Sequence, residues 1–190
     1  MNIGRAHWVV LATTVACGGP SSPGKAPERP STTGIERYFP LSDGFTSTYE
    51  TVTGDGAKDM SMVQVRRTDP RHAELRTGSG VRRLEVTSDA IRREGSGYVL
   101  RAPLREGARW EGDNGGTTVV RDASVKLVVP AGTFEGCVRT EEEVVQERAR
   151  ITVVYCPGVG IARMDVEQDG ASKRFLLRSY GAPAALDEAR

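Results

Sequence analysis

Few residues in this 190-residue chain are spaced for chemistry, and the best-spaced pair is Cys137 and Cys156. If they stand opposite one another in an antiparallel hairpin, the turn is centred between Gln146 and Glu147, the most polar point between two β-prone runs. The same register sets Glu143 against Arg150, Glu141 against Thr152 and Val138 against Tyr155. A cross-strand ion pair beside an apolar pair is what a true register supplies. A bond between the two thiols would close a loop of about 20 residues, which the chain-entropy account values at roughly 3 kcal/mol. The alternative is two separate buried thiols. The Glu and Arg content of residues 138–150 also permits a helix, but the neighbouring strands and the cysteine spacing favour the hairpin.

Other reactive constellations fail on inspection. Ser22-Pro23-Gly24-Lys25 has Ser-x-x-Lys spacing, but Pro and Gly prevent the helical turn that would bring the lysine onto the serine. His72 is the one histidine after residue 16 and lies beside Arg71 in a turn-like stretch, so an exposed loop residue is expected. With no Cys-x-x-Cys, no metal site is expected. Gly158-Val159-Gly160 lacks the third glycine and following helix of a pyrophosphate cradle. Glu141-Glu142-Glu143 invites a reading as calcium ligands or an acid/base pair. On a strand only Glu141 and Glu143 share a face, and a solvated face is expected. No catalytic residue and no cofactor are predicted.

Charge is nearly balanced overall, at +1. That leaves no long-range field to draw the chain onto nucleic acid, and no basic-aromatic motif compensates. The charge is unevenly placed, however. Residues 60–110 hold 11 arginines against 6 acids, with pairs at Arg66-Arg67, Arg82-Arg83 and Arg92-Arg93. One member of each pair must face opposite to the other, so three could line a basic stripe touching an anionic envelope polymer. The alternative is a soluble surface on which these arginines find local acids.

The third cysteine, Cys17, follows the apolar run Trp8–Ala16, which is preceded by Arg5. Nine residues are too few to cross a bilayer as a helix, which takes about 20, but they suit the apolar part of a signal peptide. Thr14-Val15-Ala16-Cys17 resembles a bacterial lipobox, which implies diacylglycerol on the Cys17 thiol and membrane attachment through it. Thr14 departs from the leucine preferred there, leaving ordinary cleavage after Ala16 as the alternative. Gly18 in place of Asp favours, by the same resemblance, the outer membrane. Residues 17–36 carry no hydrophobic periodicity and read as a tether, with a root-mean-square span of roughly 25 Å for about 20 residues. In an exported chain with Cys17 so used, Cys137 and Cys156 remain as an even pair in an oxidising compartment.

The elements that must position these residues read as strands. Hydrophobic content of 38% with 27% charged residues suits a soluble globular body, and the 6% aromatic fraction leaves its core to Val, Leu and Ile. Alternation marks residues 60–67, 81–88, 117–129, 151–156, 161–167 and 173–180. Between them stand TGDG, TDPR, TGSG, EGSG, GDNGG, PAGTFEG, CPGVG and EQDG. Short strands at this spacing predict an all-β fold, an antiparallel meander closing into a curved sheet, sandwich or partial barrel over residues 37–181. Residues 182–190 read as a disordered tail. PLSDGFTSTYE (40–50) and PLREGARWE (103–111) echo one another, suggesting two similar halves, 40–102 and 103–181.

YFPLSDGFTSTYE (38–50), VPAGTFEGCVRTEE (129–142) and YCPGVGIARMDVE (155–167) resemble a family of predicted bacterial lipoproteins of unknown function. The resemblance covers most of residues 38–180 and implies a lipoprotein of β fold. It transfers no catalytic residues, because its motifs are turns and core anchors. The expectation is a lipid-anchored, non-enzymatic binding or structural module of the cell envelope, with an anionic polymer or another envelope protein as partner. A carrier enclosing an apolar, lipid-like ligand is the alternative. The carrier requires a continuous apolar cavity of several hundred Å³.

Overall fold

The structure, a computed structural model, describes residues 34–182. Twelve strands follow one another: β1 (Thr46–Thr53), β2 (Lys58–Asp69), β3 (His72–Thr77), β4 (Gly80–Val86), β5 (Ala90–Arg93), β6 (Tyr98–Arg101), β7 (Arg109–Glu111), β8 (Thr117–Val129), β9 (Gly132–Val144), β10 (Ala149–Cys156), β11 (Gly160–Gln168) and β12 (Ala171–Gly181). They form one sheet in the order β6-β5-β4-β3-β2-β1-β12-β11-β10-β9-β8-β7, each pair antiparallel. Sequence neighbours are therefore sheet neighbours everywhere except between β6 and β7. With β1 on β12, only β6 and β7 remain to close an up-and-down barrel. The sheet is all-β and nearly closed, as the turn spacing predicts.

Alternation explains which side chains fill the interior. Val65, Ala73, Leu84, Val86, Ile91 and Leu100 point inward from β2–β6, while Trp110, Val120, Val138, Val153 and Tyr155 do so from the second half. A second cluster gathers Tyr49, Val129, Cys137, Val154, Cys156, Val159, Ala162 and Leu177 near the tip of the β8–β9 hairpin. That tip is tied to β12 by the Ala131 N–H donating to the Leu177 carbonyl at 2.9 Å.

The meander places alternate turns at opposite ends of the barrel. At the end bearing the β2–β3, β4–β5 and β10–β11 turns, the chain enters as a 3-10 turn, Gly34–Arg37. The Ile35 N–H donates to the Ser88 carbonyl and the Gly158 N–H to the Arg37 carbonyl, 3.4 and 2.7 Å. Ile35, Phe39 and Leu41 then plug this end, each buried. Burying such side chains is worth about 1.5–3 kcal/mol apiece. Residues 34–36, read from the sequence as part of the tether, thus pack against this end of the body. Ile35 is the one large apolar residue in a polar stretch, and Glu36 is held by Arg67 at 3.1 Å. The remainder of the expected tether and signal peptide, and residues 183–190, lie outside the described residues.

The Pro-Leu echo recurs in three dimensions. The Gly44 N–H donates to the Val65 carbonyl and the Gly107 N–H to the Val120 carbonyl, both at 2.9 Å. Val65 N–H returns to Phe45 and Val120 N–H to Ala108, at 2.8 and 2.9 Å. Both glycines sit at positive φ, 74° and 79°, where a side chain would be strained. Each turn precedes the first strand of a six-strand run and is bonded to the second.

Candidate functional site

Between β6 and β7 the backbone ladder lapses. A single bridge, Tyr98 to Gly112, crosses the gap. Side chains close the rest. Trp110 Nε1 donates to the Tyr98 carbonyl at 3.2 Å, and the Tyr155 hydroxyl crosses the interior to the Val99 carbonyl, also at 3.2 Å. Burial pushes the Tyr155 hydroxyl pKa well above its ordinary value, so it is a permanent donor here.

At the far end of this seam lies the densest polar cluster of the body. The β7–β8 turn, residues 112–116, folds onto Glu142 of β9. Glu142 Oε1 accepts from the Asn114 and Gly116 backbone N–H groups at 3.1 and 3.0 Å, and Oε2 from Asn114 Nδ2 at 2.9 Å. Glu142 as a whole is only 5% exposed. Glycine makes the room: a Cβ on Gly112 would lie 2.2 Å from the Glu142 carboxyl carbon. Across the seam, Arg93 Nη1 and Ser96 Oγ donate to the Asp113 carbonyl at 3.4 and 2.7 Å, and Arg82 approaches the Asp113 carboxylate at 3.8 Å. Asp113 has its pKa raised, first by burial and then by the neighbouring Glu142 charge, against the pull of Arg82 and Arg93.

This arrangement is a clasp. Three donors from the turn occupy the Glu142 oxygens, and four strands contribute to holding the turn across the gap. Glu142 therefore corrects the expectation of a solvated acidic face. It shares the inward side of β9 with Val138, Thr140 and Val144, all buried. Its neighbours face out and pair with Arg121 and Arg150, at 2.6 and 3.3 Å. The signal was available: the register that pairs the cysteines also turns Glu142 inward, opposite the one turn rich enough in glycine to approach it.

The structure joins Cys137 and Cys156 by a disulfide, with Cα atoms 4.2 Å apart. Tyr155 faces Val138, Thr152 faces Glu141 and Arg150 faces Glu143 in the β9–β10 ladder. Residues 138–144 are strand, and the turn is a short 3-10 segment, Val145–Glu147. Cys17, Ser22 and Lys25 lie outside the described residues. His72 is exposed, its Nδ1 2.8 Å from Asp69 Oδ2. Asp69 is held below the usual carboxylate range, first by the Arg71 backbone N–H and then by His72. Among the described residues, no group of three or more His, Cys, Asp or Glu is placed to hold a metal ion.

The six paired arginines divide. Arg67, Arg82 and Arg93 share the inward parity of Val65, Leu84 and Ile91 and are committed to Glu36, the Asp113 carboxylate and the Asp113 carbonyl. Arg66, Arg83 and Arg92 face outward, so the basic stripe has three of the six at most. The inward three lie near the barrel ends, where an arginine can reach a polar partner without full burial.

Two clefts flank the β9–β10 turn at the far end. One, of about 460 Å³, is lined by Trp110, Glu111, Thr117, Glu143 and Val145. The other, of about 680 Å³, is lined by Val145, Arg148, Arg150, Glu167 and Ser172. Both open to solvent and mix polar with apolar groups. The barrel interior is instead taken up by side chains, with Leu41, Leu84, Ile91, Leu100, Val120 and Val138 under 2% exposed.

Fold and site together define a twelve-stranded meander barrel, plugged at one end and clasped along one seam. Neither a protein-family model nor a curated protein matches the sequence. Solved structures similar to it include a candidate exported protein with YmcC-like fold from Bacteroides fragilis, at 14% identity and TM-score 0.47, covering 76% of this chain and 98% of that one. A candidate lipoprotein from Parabacteroides distasonis has 12% identity and TM-score 0.47, with the same coverage. The hypothetical lipoprotein YmcC from Escherichia coli has 11% identity and TM-score 0.36, covering 73% of this chain and 85% of that one.

Proposed function

We propose that this chain is a lipid-anchored, non-enzymatic β-barrel module of the bacterial outer membrane, acting by binding or as a structural component. The observation that carries the reading is a division of the cysteines. Cys137 and Cys156 are consumed by a disulfide inside the body, whereas Cys17 stands 17 residues ahead of its first described residue, Gly34, behind Val15-Ala16. A thiol so placed is free for attachment, and the Gly/Pro/Ser-rich stretch after it has the composition of a spacer. A disulfide-bearing body suits an exported chain.

The non-enzymatic part rests on how the polar groups are spent. The Glu142 oxygens are taken up by the clasp, and His72 pairs with Asp69 on the surface. Neither arrangement leaves an acid and a base converging on space where a substrate atom could sit.

Cell fractionation with a labelled fatty acid tests the proposal. The wild-type chain should carry label and partition with outer membranes, and Cys17→Ala should lose both. An unlabelled, soluble wild-type protein would contradict it.

A further inference from the structure

The outward side of the first meander is built from arginine. Alternation with the inward Val65, Leu75, Leu84, Ile91 and Leu100 turns Arg66, Arg76, Arg83, Arg92 and Arg101 outward on five adjacent strands, β2–β6. Asp69, Glu74 and Glu85 face out among them, Asp69 beside His72. The ladders set them in cross-strand rows: Arg66–Glu74–Arg83, and His72–Glu85–Arg92–Tyr98. Glu74 is already used by Arg76 at 2.8 Å, with Arg83 at 3.9 Å. Among the described residues no carboxylate lies within ion-pair distance of Arg66, Arg92 or Arg101. Arg92 and Arg101 instead flank the Tyr98 ring, 6.0 and 4.8 Å from its centroid.

The opposite wall differs. There Arg121, Arg150, Arg163 and Arg174 each pair with a carboxylate at 3.3 Å or less. Among the described residues Arg109 and Arg139 of the other half also lack a carboxylate partner, so what sets the β2–β6 wall apart is the Arg92–Tyr98–Arg101 stack beside the Arg66 row.

We infer that the outer wall of β2–β6 is a contact surface for a phosphate-bearing saccharide chain. The inference rests on the envelope reading above for where such a chain would be met. Guanidinium forks match phosphate oxygens bidentately, and stacking on Tyr98 pre-orders two of them. Four strand spacings of about 4.8 Å, with an offset of four residues along the strands, set Arg66 and Arg101 more than ~19 Å apart along the wall, which suits an extended polyanion rather than one small anion. The wall is also convex, being the outside of a barrel. A flexible chain can follow that curve, whereas a flat bilayer would meet only a strip of it.

The test uses the full chain in detergent and a phosphorylated polysaccharide as probe. Its dephosphorylated form and phosphatidylglycerol vesicles serve as the other arms. Binding to the phosphorylated chain should weaken at least tenfold in the Arg66→Gln, Arg92→Gln, Arg101→Gln triple variant. It should change less than twofold in Arg121→Gln, Arg150→Gln, Arg174→Gln, which removes equal charge from the other wall. Equal loss in both triples, tighter binding to the vesicles than to the polymer, or no binding at low salt would each overturn the surface. Mass analysis of the same sample separates this from the anchor. Lipid on Cys17 without polymer binding sinks the surface alone, and polymer binding without lipid sinks the anchor alone.

Discussion

Glu142 grips Asn114 at both ends, its Oε1 accepting the Asn114 backbone N–H at 3.1 Å and its Oε2 the Asn114 side-chain amide at 2.9 Å. One carboxylate on β9 thereby fixes the turn that carries the seam strand β7. Glu142→Ala would strand the Asn114 and Gly116 donors beside a cavity, and it should cost about 2–4 kcal/mol in urea unfolding. Gly112→Ala should behave similarly, because the new methyl would collide with the same carboxylate, whereas Gly78→Ala, with no atom within 4 Å of the added Cβ, should be nearly neutral. A loss below about 0.5 kcal/mol for Glu142→Ala would mean the clasp is not structural.

Asp113 makes the seam sensitive to pH. Its folded pKa is raised, chiefly by burial and then by the Glu142 charge. The fold therefore favours its protonated form. The stability it contributes is present below the unfolded aspartate pKa, about 4, and is lost as pH rises through the folded value. The groups facing it are Glu142 on β9, Arg82 on β4, Arg93 on β5 and Tyr155 on β10. Denaturant unfolding at successive pH values should show wild type losing ground to Asp113→Asn as pH rises from about 4. Parallel curves for the two proteins would remove Asp113 as the cause.

Asp165 should act in the opposite sense. Burial works against its ionised form, but hydrogen bonds and charge from Arg163 and Arg174 prevail and hold its pKa below the usual range. Its contribution is present above the unfolded pKa and lost as pH falls through the folded one. In Asp165→Asn the acid side of the stability profile should flatten relative to wild type. An unchanged acid limb would show that the Arg163–Asp165–Arg174 group adds nothing net.

How much of this was legible depended on what each strand buries. β8 was read to the residue, and β10, β11 and β12 within two, because most of their inward positions are apolar, among them Val120, Val153, Tyr155, Met164 and Leu177. β1 gave no apolar alternation because the residues it buries are Ser47, Tyr49 and Thr51. Tyr49 is tolerated inside because its hydroxyl donates to the Ile161 carbonyl at 3.0 Å, and burial pushes its pKa up to about 12. β5, β6 and β7 span only three or four residues each, too few to show a period. Most turns were legible because Gly, Pro and Asp mark them locally, but the β4–β5 turn fell inside the expected strand 81–88 and the β9–β10 turn was placed by the cysteine register alone. The clasp was not, because no local pattern tells a buried glutamate from a solvated one. Only the hairpin register, joined to the glycines of residues 112–116, does so.

The disulfide ties β9 to β10 just where Val138 and Tyr155 enter the main core and Cys137 and Cys156 enter the second. Closing a loop of about 20 residues, it should contribute roughly 3 kcal/mol. The Cys137→Ser, Cys156→Ser double variant should unfold at correspondingly lower denaturant with an unchanged β signature by circular dichroism. Equal midpoints would show that packing alone holds the hairpin.

Intact mass of the native protein, with and without reductant, tests the central claim most directly. A chain beginning at Cys17 and carrying diacylglycerol is predicted, two daltons heavier after reduction. A chain beginning at Cys17 with no added lipid, or one retaining residues 1–16, would contradict it.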